Sequence, residues 1–183
     1  MSDGKYDYER HTKEQAYCTG NVSLHFNGET LQMYAVIDNV GSTRTYRAVS
    51  GKPLPNKGFD YSSERQKMSK EGPIPEGKYW VYPNEFWRNA WYKRGSEESW
   101  GNYRITLHPD KQTETYGRGG FFIHGGHFPG SIGCVDLTSS MDQFYKDLMK
   151  AIGYSYNIKT IKNTYCQIPL WVDYAPAAVN RSR

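Results

Sequence analysis

Along residues 22–37 apolar and polar positions alternate on either side of a turn dipeptide: Val22, Leu24 and Phe26 precede Asn27-Gly28, and Leu31, Met33, Ala35 and Ile37 follow it. A period of two with a turn in the middle predicts a β-hairpin that buries one face. "YRAVSG" at 46–51 predicts a further strand, and the polar stretch from Lys52 to Glu71, rich in Lys, Ser and Pro, predicts a long surface loop. "GPIPEGKYWVYP" supplies a Pro/Gly turn feeding a strand through Tyr79 and Val81, and "NYRITLHP" and "GGFFIHGG" read as two short strands, the second ending at His124. Residues 84–100 fit either a short helix with Phe86, Trp87 and Trp91 on one side or a flap. The period changes at 139–152, where Met141, Phe144, Tyr145, Leu148 and Ile152 recur at helical spacing, with Ser139 and Asp142 set as a capping box and Gly153 as a C-cap. "CQIPLWVDY" at 166–174 predicts a final strand. The sum is a mainly β (α+β) fold carrying one or two helices.

Composition narrows the function more than the fold. A chain of 183 residues suits one domain over 1–183, with 1–20 and 175–183 peripheral. Apolar runs such as "YAVI" and "FFI" are far shorter than the roughly 18 residues a membrane span needs, so no membrane insertion is expected. The polar start "MSDGKYDYERHTKEQ" has no apolar h-region, which predicts no ordinary export signal. A net charge of +4, with Lys and Arg scattered among acids, gives no basic stripe for nucleic acid. The 16 Tyr and five Trp suit sheet packing first and a sugar or peptide platform second. Three cysteines, Cys18, Cys134 and Cys166, are too few for a disulfide scaffold; they are reduced thiols, or Cys18 and Cys166 bridge and leave Cys134 free.

Chemistry concentrates where glycine does. Seven of the seventeen residues from Gly117 to Gly133 are Gly, against eleven in the other 166, and this segment links His124 to Cys134. A free thiol is only a few per cent ionised at neutral pH, so nucleophilic use needs a base or cation beside it, and His124 can serve. If a tight loop returns the chain, Cys134 comes to lie beside the end of the strand carrying His124. Ser131, Ile132 and Gly133 then bring backbone N–H groups near the thiol, as an oxyanion hole requires, and the Gly125 carbonyl can fix the imidazole tautomer. An isolated buried Cys or His is usually structural, but two in one Gly-dense loop point to a site. Metal binding by His124, His127 and Cys134 is disfavoured, because H-x2-H-x6-C is no standard zinc pattern and no fourth ligand lies nearby. No cofactor is implied. His127 is expected at the cleft rim.

"GPIPEGKY" at 72–79, "SWGNYRITLHP" at 99–109, "GRGGFFIHGG" at 117–126 and "GSIGCVDL" at 130–137 occur in that order. Together they resemble the signature of the L,D-transpeptidases, and more closely the shorter branch among type VI secretion L,D-transpeptidase effectors, from about residue 22 to 174. The resemblance implies an L,D-transpeptidase-like β-sandwich or barrel. It implies Cys134 as nucleophile, His124 as base, Gly125 as the orienting carbonyl, Ser131 and Gly133 as the framing of the oxyanion site, and Trp100 and His127 at the substrate. Two positions depart from the classical enzymes: Ile132 stands where a second His is usual, and Asp136 where Asn or Arg contacts substrate. Arg118 is then either the residue that holds a stem-peptide carboxylate or a surface salt-bridge partner.

The implied reaction is attack of the Cys134 thiolate on the carbonyl of the third stem-peptide residue, a diamino acid such as meso-diaminopimelate, with loss of D-Ala. Water as acceptor gives L,D-carboxypeptidase activity, a D-amino acid gives exchange, and another stem gives a 3–3 cross-link. Other readings are a peptidoglycan-binding module without turnover and a different cell-wall Cys amidase or peptidase. An antibacterial effector made in the cytoplasm without a signal peptide and acting in a target periplasm implies three partners: peptidoglycan stem peptides, a periplasmic immunity protein and a secretion-apparatus component.

Overall fold

The computed structural model describes residues 22–37, 39–56, 58–89, 99–155 and 167–174. The alternating segment forms the hairpin of β1 (Val22–Phe26) and β2 (Thr30–Ile37), with Leu24 opposite Met33 and Phe26 opposite Leu31. Its apolar positions Val22, Leu24, Phe26, Leu31, Met33 and Ala35 are all buried. The turn sits one residue later than predicted. Asn27 donates its N–H to the Thr30 carbonyl at 3.2 Å, and its Oδ1 accepts from the N–H groups of Glu29 and Thr30, so Gly28-Glu29 is the central pair.

β3 (Val40–Arg47) adds to the other edge of β2 and is exposed at every position except Tyr46. A strand with so little apolar face carries no alternation signal, so the segment expected at 46–51 turns out to be the end of β3 followed by the two-residue β4 (Val49–Ser50). The remaining strands are β5 (Gly77–Val81), β6 (Trp87–Arg88), β7 (Tyr103–Pro109), β8 (Phe121–His124), β9 (Val135–Asp136) and β10 (Ile168–Val172). They form one mixed sheet in the order β3-β2-β1-β10-β5-β7-β8-β9-β4, with β6 beside β7, curled into a near-barrel. The expected fold class is borne out.

The stretch 52–71 is not all loop. Ser62 caps a short α1 (Ser63–Gln66), and the buried Gln66 amide bonds to the Tyr61 carbonyl and to Glu76. Of the segment 84–100, the described parts are a 3-10 turn at Pro83–Glu85 followed by β6, and a helical turn at 99–100, with 90–98 outside the described residues. The long helix α2 (Met141–Ser155) starts later and ends later than expected. Ser139 lies in a preceding 3-10 turn, Asp142 accepts from the Asn102 amide instead of closing a capping box, and Gly153 falls inside the helix. Tertiary contacts set these ends. Phe144, Leu148 and Ile152 are fully buried, and Asp147 gathers the Tyr46 hydroxyl at 2.8 Å and the Gln143 amide at 2.9 Å, tying α2 to β3. Cys18 and Cys166 lie outside the described residues, and with them the bridge between them.

β10 is the seam of the sheet. It pairs parallel with β1 and antiparallel with β5, placing Leu170 between Leu24 and Tyr79, all buried. Trp171 points the other way and is 43% exposed. Leu170→Ala should therefore cost about 2–5 kcal/mol in urea denaturation, whereas Trp171→Ala should cost less than about 1 kcal/mol; similar losses at both positions would contradict this register.

Candidate active site

Three strands carry the site in rows. Antiparallel β7 and β8 set Arg104 opposite His124 and Ile105 opposite Ile123, and parallel β8 and β9 set His124 beside Asp136 and Ile123 beside Val135. Side chains of paired residues share a face and alternate along each strand. Ile105, Ile123 and Val135 face the core, all fully buried. Arg104, His124 and Asp136 therefore line the opposite face, with Phe122 and, by continuation of β9, Cys134 one step along the same face. Register thus sets His124 beside Asp136, two residues after Cys134, whose thiol donates to the Gly120 carbonyl at 4.0 Å.

The link from β8 to β9 spans residues 125–134, and its glycines answer to steric facts. Gly133 has φ +125°, and a Cβ there would stand 2.6 Å from an Arg118 guanidinium nitrogen and 3.1 Å from the Phe121 ring. A Cβ on Gly125 would meet the Thr138 carbonyl at 2.7 Å and Met141 at 2.9 Å. Ser131 braces the turn before the cysteine, donating its hydroxyl to the Cys134 carbonyl at 2.7 Å and accepting from the N–H groups of Gly133 and Gly51. Its own N–H goes to the Gly51 carbonyl at 3.0 Å. Two of the three N–H groups expected to form an oxyanion hole thus already have acceptors, and the backbone donor to the Cys134 sulfur is the Phe122 N–H.

His124 is 3% exposed, and its Nδ1 lies 2.5 Å from the Gly125 carbonyl oxygen. A carbonyl only accepts, so Nδ1 bears the proton and Nε2 keeps its lone pair. Trp100 tilts over the imidazole at 5.0 Å between centroids, and its carbonyl accepts the Gly125 N–H. Burial lowers the His124 pKa; the Gly125 hydrogen bond and the Asp136 charge oppose this, and Arg104 adds to it. Burial likewise pushes the Cys134 thiol up to about 11, against the Phe122 N–H and the cations Arg104 and Arg118. Burial thus favours the uncharged form of both groups.

The other candidates divide. Arg118 is neither a surface ion-pair partner nor open to a carboxylate: it donates to the backbone carbonyls of Gln66, Pro73, Gly72 and Ile132, clamping the 66–73 loop to the segment before Cys134. Asp136, expected at the substrate, is fully buried. Its two carboxylate oxygens accept from the N–H groups of Thr138 at 2.7 Å and Gly130 at 2.9 Å, pinning the middle of the link and the turn after β9. His127 is exposed at the rim, beside a cavity of about 590 Å³ lined by Arg47, Asn102, Gly126, Ser139 and Asp142. Among the described residues no three His, Cys, Asp or Glu side chains gather as metal ligands. Sequence reading missed Arg104. Its alternation with Ile105 marks it as outward-facing, but only the register of β7 with β8 sets it beside His124.

A family model described as the Tlde1 domain matches residues 45–161, more than half of the chain. Among solved structures, Bd1075 of Bdellovibrio bacteriovorus is similar, with a TM-score of 0.48 and 14% identity over 84% of this chain and 48% of that one. The chain thus spans about half the length of that protein. No curated protein matches.

Three outcomes follow from this geometry. Titration of the imidazole by nuclear magnetic resonance should place His124 below the ordinary 6.5, as the Nδ1–H tautomer. Cys134 alkylation should then keep rising with pH well past neutrality; a plateau below pH 7 would mean a pre-formed ion pair. Arg118→Ala, which strands several carbonyls, should cost about 2–4 kcal/mol in denaturant unfolding, and a loss under ~0.5 kcal/mol would return Arg118 to the status of a surface residue.

Proposed function

The chain belongs to the Tlde1 domain family, an L,D-transpeptidase-like toxin domain family acting on peptidoglycan, and on that premise we propose that it cleaves stem tetrapeptides through a Cys134 thioester. The observation that carries this reading is the shared face of His124 and Cys134, with Nδ1 held by Gly125 and Nε2 left basic.

A neutral pair sets the order of events. As Sγ adds to the carbonyl of the third residue, Nε2 takes the thiol proton, so thiolate and imidazolium arise only as the new C–S bond forms. The tetrahedral adduct collapses by breaking the bond to D-Ala, and the imidazolium returns its proton to the departing amine. D-Ala leaves and the thioester remains. Nε2 then deprotonates the acceptor, which adds to the thioester and expels the thiol. Water yields the tripeptide, a free D-amino acid yields an exchanged tetrapeptide, and a stem amine yields a 3–3 cross-link. Trp100 packs over the imidazole, and the cavity lined by Gly126 and His127 begins two residues along the chain from His124. A toxin of this kind acts in the periplasm of a target bacterium. Delivery by type VI secretion, with an immunity protein guarding the producer, agrees with the family's character.

Mass analysis of tetrapeptide muropeptides after incubation should show tripeptide plus free D-Ala, and added D-amino acid should divert product to the exchanged tetrapeptide. Cys134→Ala should abolish turnover and His124→Ala should lower it by at least ~10³-fold, the double variant being no worse, because the two act as one unit. Full tripeptide release by Cys134→Ala would refute the thioester.

A further inference from the structure

We propose that Arg104 is a substrate-binding residue, receiving a carboxylate of the donor peptide beside the scissile bond; the assignment rests on the peptide-cleaving reading above. Three observations lead to it. Arg104 stands next to His124 in the row that ends at Asp136. Its guanidinium is packed among three rings, with centroids at 4.8 Å for Trp87, 5.1 Å for Trp100 and 5.6 Å for Phe122. Among the described residues it has no hydrogen-bond or ion-pair partner, although the side chain is half-buried.

The contrast with the other cations is chemical. Arg118 spends its donors on four backbone carbonyls, Arg65 on Glu71 and Arg44 on Asp147. The rings around the Arg104 guanidinium accept none of its N–H groups in ordinary hydrogen bonds, and a guanidinium held in this way can offer a carboxylate two parallel bonds. A partly desolvated cation without hydrogen-bond acceptors is costly, and an anionic ligand offsets that cost. Reach sets which anions qualify. Two strand spacings, roughly 10 Å, separate β7 from β9, so an anion held by Arg104 lies no more than about three residues of extended peptide from the carbonyl attacked by Cys134. Two groups of a stem tetrapeptide qualify: the carboxylate of the leaving D-Ala and the distal carboxylate of the diamino acid.

The test uses three synthetic tetrapeptides: the parent acid, its D-Ala carboxamide, and a version amidated at the distal diaminopimelate carboxylate. Tripeptide release is measured for the wild type, Arg104→Gln and Arg104→Lys. In parallel, binding of each peptide is titrated in the Cys134→Ala background with and without Arg104→Gln. The wild type should prefer the parent over one of the two amides by about 10- to 100-fold in kcat/KM. Arg104→Gln should erase that preference and leave the response to the other amide unchanged, while Arg104→Lys should restore part of it. The arm that collapses identifies the carboxylate. A general loss of packing would lower all three rates together and leave their ratios alone, which would overturn the proposal. Arg104→Gln retaining the wild-type preference, or a wild type indifferent to both amidations, would overturn it as well. If the wild type releases D-Ala from none of the peptides, the cleavage reading fails, and the binding titration still decides Arg104 by whether its loss removes discrimination between acid and amide.

Discussion

The parallel pairing of β8 with β9 is the constraint on which the rest depends. Parallel neighbours ordinarily need a crossover of a dozen or more residues, often through a helix; here ten residues, 125–134, make the return. A link that short cannot wander. It needs close backbone approaches, which Gly125 and Gly133 allow, and braces that hold it against fraying, which Ser131 and the buried Asp136 carboxylate provide. Arg118 then fastens the far side of the link to the loop after α1. Because β8 and β9 run in the same direction, His124 and Cys134 fall on one face two positions out of register, a diagonal across neighbouring strands.

Charges in this row oppose one another, and burial is the largest influence on both groups. Asp136 raises both the imidazole and the thiol, Arg104 lowers both, and desolvation, the largest influence on each, favours the uncharged forms. A proton moved from Cys134 to His124 therefore creates two charges in a place that disfavours either alone. In the proposed reaction that transfer accompanies attack on a carbonyl carbon, so the charges arise only as the new bond forms.

The elements legible in the sequence were those with strong periodicity or punctuation. The β1–β2 hairpin, the helix over Phe144 and Leu148, and the Gly-rich link declared themselves through alternation, helical spacing and glycine density. β3 did not, because its exposed face reads as a polar loop, and α1 did not, because four residues give no period. Of the candidate site, the hold of the Gly125 carbonyl on His124 was readable, since the two are neighbours in one continuous segment. Asp136 and Arg118 were seen as residues but misjudged as contacts. What separates a substrate-facing carboxylate from one pinned to two N–H groups is where the loops close, and nothing in the order of residues records that.

Arg104 and Arg118 illustrate the same point from the side of function. Each approaches the thiol closely enough to favour its ionised form, and each lies near a Phe ring, at 5.6 Å in both cases. Composition and distance along the chain favour Arg118, six residues before His124, as the cation of the site. Arg104 is twenty residues away. The fold reverses that order. Arg118 is surrounded by carbonyl oxygens, which fix a guanidinium and use up its donors, so it stiffens the loop that carries Cys134. Arg104 lies among three aromatic rings, and among the described residues none of its side-chain N–H groups has an acceptor. A cation kept in place by dispersion and quadrupole contacts retains its hydrogen-bonding capacity for something that arrives later. The surroundings of a charged side chain, more than its proximity to the nucleophile, determine whether it serves as structure or remains available to a ligand.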